Sequence, residues 1–256
     1  MAPVTGGEHV ALVTGAGRGI GRAIAARLSQ AGLRVALTAR SPDELDTTAA
    51  ECDGPTLTIP ADITAPGAPA HIFGAVEAQW GAVGVLIANA GSGFSARVDR
   101  TSDEDWQRML DVNLTAPFRC IRRAVPNMRA ARFGRIVVIA SNAARIGEPY
   151  IAAYAASKHG VLGLVRSAAA ELASTGVTVN AVCPGYVDTP MTETTVQSVV
   201  AASGRDPADV RETLTRKQPI GRLISPDEVA EAVWFCAQNG AITGQGITVD
   251  GGAVQA

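Results

Sequence analysis

Lysine is nearly missing from this chain. Only Lys158 and Lys217 stand among its 22 basic residues, and the rest are arginine. Aromatic residues fill 4 % of the 256 positions, three of them tyrosine. Cys52, Cys120, Cys183 and Cys236 lie far apart with no Cys-x-x-Cys pair, and His9, His71 and His159 are equally scattered. That scatter excludes the ligand spacings of a metal site and the framework of a disulfide scaffold, so reduced thiols and no metal are expected. Excess charge is also lacking. A net charge of −2 argues against a nucleic-acid or anionic-membrane partner. No apolar run approaches the ~18 residues of a membrane span. The first nine residues have no signal-peptide core. A soluble, cytoplasmic protein is the expectation.

What is present is apolar bulk, 47 % of the residues against 18 % charged. Buried-strand patterns at 10–13, 34–38, 56–59, 83–88, 136–140, 177–182 and 247–250 alternate with helical patterns such as Ile20, Ile24 and Leu28. Such alternation implies a doubly wound, Rossmann-like parallel sheet of about seven strands with helices on both faces. One domain over 1–256 is expected. Between Tyr186 and Lys217 the pattern weakens and polar residues gather, which suits a mobile substrate lid. Starts of further helices are read at Asp206-Pro207 and Ser225-Pro226-Asp227-Glu228.

The first strand feeds Thr14-Gly15-Ala16-Gly17-Arg18-Gly19-Ile20-Gly21 and then a helix. Glycines let backbone approach a pyrophosphate, and a helix start offers unpaired N–H groups and a positive dipole end. At the end of the second strand, where an NAD site commonly carries a carboxylate for the ribose hydroxyls, this chain has Ala39-Arg40. No Asp or Glu occurs from Arg22 to Pro42. Arg40 and Arg18 would instead pair with a 2′-phosphate, which points to NADP(H) ahead of NAD(H). Ser41 and Glu44 read as a capping box for the next helix. Asp62 could accept from an adenine amino group or cap a turn.

Ser141 stands at the carboxyl end of the fifth strand, where open α/β sheets place their ligand crevice. Tyr154 and Lys158 are one helical turn apart and share a face. Ionising a phenol near neutrality needs a shift of about three units, or roughly 4 kcal/mol. A positive charge ~4 Å away supplies about that at an effective dielectric of ~20. Tyr154 is therefore expected to exchange a proton with a substrate oxygen near physiological pH. Pro117 has no N–H, so the Asn113 carbonyl loses its helical partner; either it anchors a water reaching Lys158, or the helix simply breaks and Pro117 opens a second segment. Arg119, Arg122, Arg123, Arg129, Arg132, Arg135 and Arg145 form a stretch without acidic residues, which reads either as a solvated helix face or subunit contact or as a local positive field able to attract an anionic carrier or a phosphorylated substrate.

In order and approximate spacing, Thr14-Gly15-x-x-x-Gly19-x-Gly21, Asn89-Ala90-Gly91, Asn113, Ser141, Tyr154-x-x-x-Lys158 and Pro184-Gly185 resemble the short-chain dehydrogenase/reductase family. Ala88 departs from it, since many members have Asn there. The resemblance implies Tyr154 as proton donor to a ketone and Ser141 as hydrogen-bond donor to its oxygen. It implies Lys158 as the group that lowers the phenol pKa and holds the nicotinamide ribose, and Asn113 as the seat of a relay water. Asp62 and Ile63 correspond to adenine contacts and Thr189 to a nicotinamide carboxamide contact. It further implies a homotetramer. Within the family the chain looks most like 3-oxoacyl thioester and polyketide ketoreductases, whose substrates are small ketones or acyl thioesters, free or carrier-bound. An NAD-dependent hydroxyacyl or secondary-alcohol dehydrogenase is one alternative, and a non-catalytic cofactor sensor another. Phe94, Tyr150, Tyr186 and Met191 are the expected substrate lining.

Overall fold

A computed structural model describes Val4 and residues 9–255; most of the polar amino-terminal stretch lies outside the described residues. Among the described residues, seven parallel strands form one sheet in the order β3-β2-β1-β4-β5-β6-β7. They are β1 (Val10–Thr14), β2 (Arg34–Ala39), β3 (Thr56–Pro60), β4 (Val85–Ala88), β5 (Gly134–Ile139), β6 (Val177–Pro184) and β7 (Gly246–Val249). Side chains alternate between faces along each strand. Leu12, Leu86, Ile136 and Val138 meet Ile72, Phe73 and Val76 of α3 (Ala68–Trp80), Cys120 and Ala124 of α5 (Ala116–Ala130), and Val161 and Val165 of α6 (Ala152–Leu172). Val13, Ile87, Val137 and Ile139 meet Ile24 and Leu28 of α1 (Gly19–Gln30), Leu45 of α2 (Pro42–Ala50), and Val229 and Val233 of α9 (Pro226–Gln238). Because both faces are covered, the strands are apolar runs rather than alternating ones.

The chain leaves β1 for β2 on one side and returns to β4 on the other. The carboxyl ends of β1 and β4 therefore open a crevice at this switch point. Among the described residues no helix is long and apolar enough to cross a membrane, and no cluster of three or more His, Cys, Asp or Glu is arranged to hold a metal.

Two regions differ from the sequence reading. Residues 186–217, read as a lid with a helix starting at Asp206-Pro207, hold two helices rather than one. They contain α7 (Pro190–Ser203) and α8 (Pro207–Arg216), which share a small core of Val196, Val210 and Leu214. Around Asn113 the helix does not simply break. After α4 (Asp103–Leu110) it widens into a π-helical turn, Asp111–Thr115, before α5. The N–H of Ala116 returns to the Asp111 carbonyl, the five-residue bond that defines such a turn.

Candidate active site

The glycine turn is closed by contacts that leave no room for a side chain. Gly15 and Gly19 have φ of +66° and +54°, a region open to glycine at no steric cost. A Cβ on Gly21 would lie 2.1 Å from the Gly15 carbonyl oxygen. Gly21→Ala must therefore push backbone from backbone. It is expected to cost roughly 2–3 kcal/mol, to lower Tm by about 5–10 °C, and to abolish dinucleotide binding, as a thermal melt with and without cofactor would record. Helix α1 starts from Arg18, which makes no side-chain cap bond, and its first turn carries no acidic residue. That end is suited to an anion.

Thr14 and Asn89 brace this turn. The Thr14 hydroxyl accepts from the N–H groups of Asn89 and Ala90, both at 3.0 Å, while Asn89 Nδ2 donates to the carbonyls of Thr14 (2.9 Å) and Gly15 (3.0 Å). Asn89 still borders the cavity, but Thr14 is buried behind it. Its hydroxyl is spent tying β1 to β4.

A cavity of about 1210 Å³ runs along the crevice. Gly15, Arg18, Gly19, Ile20, Gly21, Arg40, Asp62, Ile63, Asn89, Ala90 and Gly91 line one stretch of it. Asn113, Ser141, Tyr154, Lys158, Pro184, Gly185 and Thr189 line another. One Asp62 oxygen accepts from the Thr64 N–H (2.9 Å) and hydroxyl (2.7 Å), and these bonds hold its carboxyl below the ordinary carboxylate value. Only half of the capping box at α2 forms. Ser41 Oγ accepts from Glu44 N at 3.3 Å, but the Glu44 carboxylate turns to Arg18 Nη1, also at 3.3 Å. The full box is at α9, where Ser225 and Glu228 cap each other reciprocally.

At the chemical end, Ser141 is nearly buried, accepts from Ala143 N (3.1 Å) and donates to Asn142 Oδ1 (3.2 Å). Lys158 is 5 % exposed and its Nζ donates to the Ile139 carbonyl at 2.9 Å. Asn113 is pinned by its side chain, which accepts from Ser92 N (3.1 Å) and donates to Ser92 O (3.0 Å). A Cβ on Gly91 would be 2.9 Å from Asn113 Oδ1, so glycine there is what lets the π turn seat against the β4 loop.

The acidity expected of Tyr154 is not found. Burial pushes its phenol above the ordinary value, opposed by a hydrogen bond with Ser141. Lys158 Nζ lies 5.7 Å from the ring centroid, and burial lowers its own pKa to about 8. Desolvation is the largest cause and sets the direction, and burial depth is something the spacing of two residues cannot reveal. The phenol thus keeps its proton at neutral pH.

The substrate lining is also revised. Met191 borders the cavity, whereas Phe94, Tyr150 and Tyr186 do not. Tyr150 is 64 % exposed with φ of +70°, and Phe94 packs against Arg108, whose guanidinium lies 5.3 Å from its ring. Tyr186 Oη donates to Glu148 at 3.2 Å beside Lys217, on the wall of a separate cavity of about 290 Å³. The arginine stretch does not act as one surface either. Arg135 is fully buried, Arg123 pairs with Glu77, and Arg145 donates to the Gly246 carbonyl. Arg122, Arg129 and Arg132 remain exposed.

Sequence reasoning missed three positioning residues. Ser92 holds Asn113. Glu44 reaches the cavity from α2. Gln218 is 1 % exposed and takes both backbone groups of Tyr186 (2.9 and 3.1 Å) and the Arg222 carbonyl (2.7 Å), fixing the chain just after Gly185. No local pattern marks Ser92 or Gln218, and the capping-box pattern that marks Glu44 does not reveal its contact with Arg18.

Residues 9–199 match the short chain dehydrogenase family. D-beta-hydroxybutyrate dehydrogenase of Rhizobium meliloti is 36% identical over 250 residues, 94% of this chain and 97% of that protein. The 3-oxoacyl-(acyl-carrier-protein) reductase of Thermotoga maritima is 36% identical over 250 residues, 96% of this chain and 97% of that one. Among solved structures, a variant of actinorhodin polyketide ketoreductase with NADPH superposes with a TM-score of 0.91 at 36% identity, covering 97% of this chain and 99% of that one.

Proposed function

The chain belongs to the short-chain dehydrogenase family and is an NAD(P)-dependent oxidoreductase; from that premise we propose that it reduces a ketone to a secondary alcohol with NADPH, on a 3-oxoacyl thioester or polyketide-type substrate. The observation that carries this is convergence on one cavity: Ser141, Tyr154 and Lys158 line the same crevice as the glycine turn and two arginines. When bound, the dinucleotide supplies the hydride. Arg18 and Arg40 suit a 2′-phosphate and the α1 start suits the pyrophosphate, while Gly15, Gly21 and Gly91 let the backbone around that seat pack where a Cβ would clash with Ala90, the Gly15 carbonyl and Asn113. Asp62 and Ile63 suit the adenine, and Thr189 with the Pro184-Gly185 backbone suits the carboxamide.

Ser141 Oγ would turn its hydrogen from Asn142 Oδ1 to the ketone oxygen, where negative charge grows in the transition state. Tyr154 gives that oxygen its proton. Lys158 keeps an ammonium within the dry end of the cavity, and the Asn113 backbone would seat a water that returns a proton to the phenol. A carrier-borne substrate would find Arg122, Arg129 and Arg132 exposed on the α5 side. Assembly as a homotetramer in the cytoplasm completes the reading.

A substrate panel tests it. NADPH is expected to be consumed with 3-oxoacyl thioesters and cyclic polyketide mimics, faster than with simple aliphatic ketones. Consumption with none of them defeats the proposal. NAD-dependent oxidation of a 3-hydroxy acid is the second reading, supported by the hydroxybutyrate dehydrogenase likeness and by the acidic Glu44 at the Arg18 end.

A further inference from the structure

We infer that Glu44 sets how strongly this site prefers a 2′-phosphorylated dinucleotide, by competing with the phosphate for Arg18. The inference rests on the dinucleotide reading above. Arg18 has one carboxylate on it already: Nη1 lies 3.3 Å from Glu44 Oε1, and both side chains border the cavity beside Arg40 and Ser41. Glu44 is not free to leave by moving its helix. Its N–H is capped by Ser41, and one turn on, Thr48 Oγ1 donates to the carbonyls of Ala16 (2.9 Å) and Gly17 (3.2 Å), fastening α2 to the glycine turn. The carboxylate also leans on Gly17, where a Cβ would meet Glu44 Cβ at 2.8 Å and Oε2 at 2.9 Å.

A 2′-phosphate arriving at Arg18 and Arg40 must therefore break an ion pair and then share the site with a fixed negative charge. A plain ribose hydroxyl meets neither cost. The acidic residue missing from the end of β2 is thus present after all, supplied from the first turn of α2 and pulled toward an arginine rather than a ribose. It lowers the preference for NADPH that the two arginines alone would create.

The test is direct binding, read by cofactor fluorescence, for wild type, Glu44→Gln, Arg18→Ala and the double variant. Gln keeps the backbone N–H that Ser41 caps and removes only the charge. Glu44→Gln is expected to tighten NADPH about three- to tenfold and to leave NADH within twofold, the scale of an exposed ion pair plus like-charge repulsion. In the Arg18→Ala background the same change is expected to lose most of its effect on NADPH. Unchanged NADPH affinity, an equal shift for both cofactors, or weaker NADH binding would each overturn the inference. Wild-type protein that binds neither cofactor would instead overturn the dinucleotide reading beneath it.

Discussion

Tyr154→Phe is expected to lower ketone turnover about 10²- to 10⁴-fold while leaving the NADPH dissociation constant within about twofold. The reasoning starts from the phenol's protonation. Burial raises its pKa, so the hydroxyl carries its proton throughout the neutral range. Phenylalanine keeps the ring that Lys158 Nζ approaches at 5.7 Å, keeps the volume, and removes only the donor. Ser141 can still hydrogen-bond the ketone oxygen, which is why a residual rate is expected rather than none. Single-turnover kinetics with a saturating ketone separates this from a binding defect. Turnover within a factor of five of wild type would show that the proton comes from elsewhere.

Lys158→Met is expected to abolish measurable turnover and yet make the protein more stable at neutral pH. In the folded protein Lys158 titrates at about 8, against an ordinary 10.5. Between those values the unfolded chain binds more protons, so stability rises with pH across that window. Below about 8 the full cost of burying the ammonium is present, roughly 3 kcal/mol. Methionine fills a similar volume without charge. It forfeits the bond from Nζ to the Ile139 carbonyl, worth about 1 kcal/mol, so a net gain of about 1–2 kcal/mol remains. Melts at pH 7 should show the variant a few degrees above wild type, with the gap closing as pH rises from 8 toward 10.5. A variant melting well below wild type at pH 7 would mean that the ammonium stabilises the fold instead of burdening it.

Much of this site is visible in the sequence because backbone periodicity creates it. A four-residue step on a helix puts Tyr154 and Lys158 on one face in any protein, and a strand followed by spaced glycines and a helix makes the same anion seat wherever it occurs. Seven apolar runs gave the sheet for the same reason, being buried on both faces. What stays hidden depends on contacts between distant segments. Glu44 meets Arg18 across 26 residues, Ser92 meets Asn113 across 21, and Gln218 meets Tyr186 across 32. Helix α7 escaped notice because its sequence is rich in threonine, with Thr189 as its cap and Val196 its one buried aliphatic residue. The direction of the Tyr154 shift is hidden for a related reason. Sequence names the neighbouring charge but not the depth at which both groups are buried, and depth decides the sign.

The most direct test of the central claim is hydride tracking in one turnover, using NADPH deuterated at the transferable nicotinamide position and a 3-oxoacyl thioester or cyclic ketone. Wild type should yield a secondary alcohol with the label on its carbinol carbon, and Tyr154→Phe should bind the same cofactor and form that alcohol at least a hundredfold more slowly, by about the factor a general acid contributes. Alcohol without the label, or equal rates of labelled product from both proteins, would contradict the account.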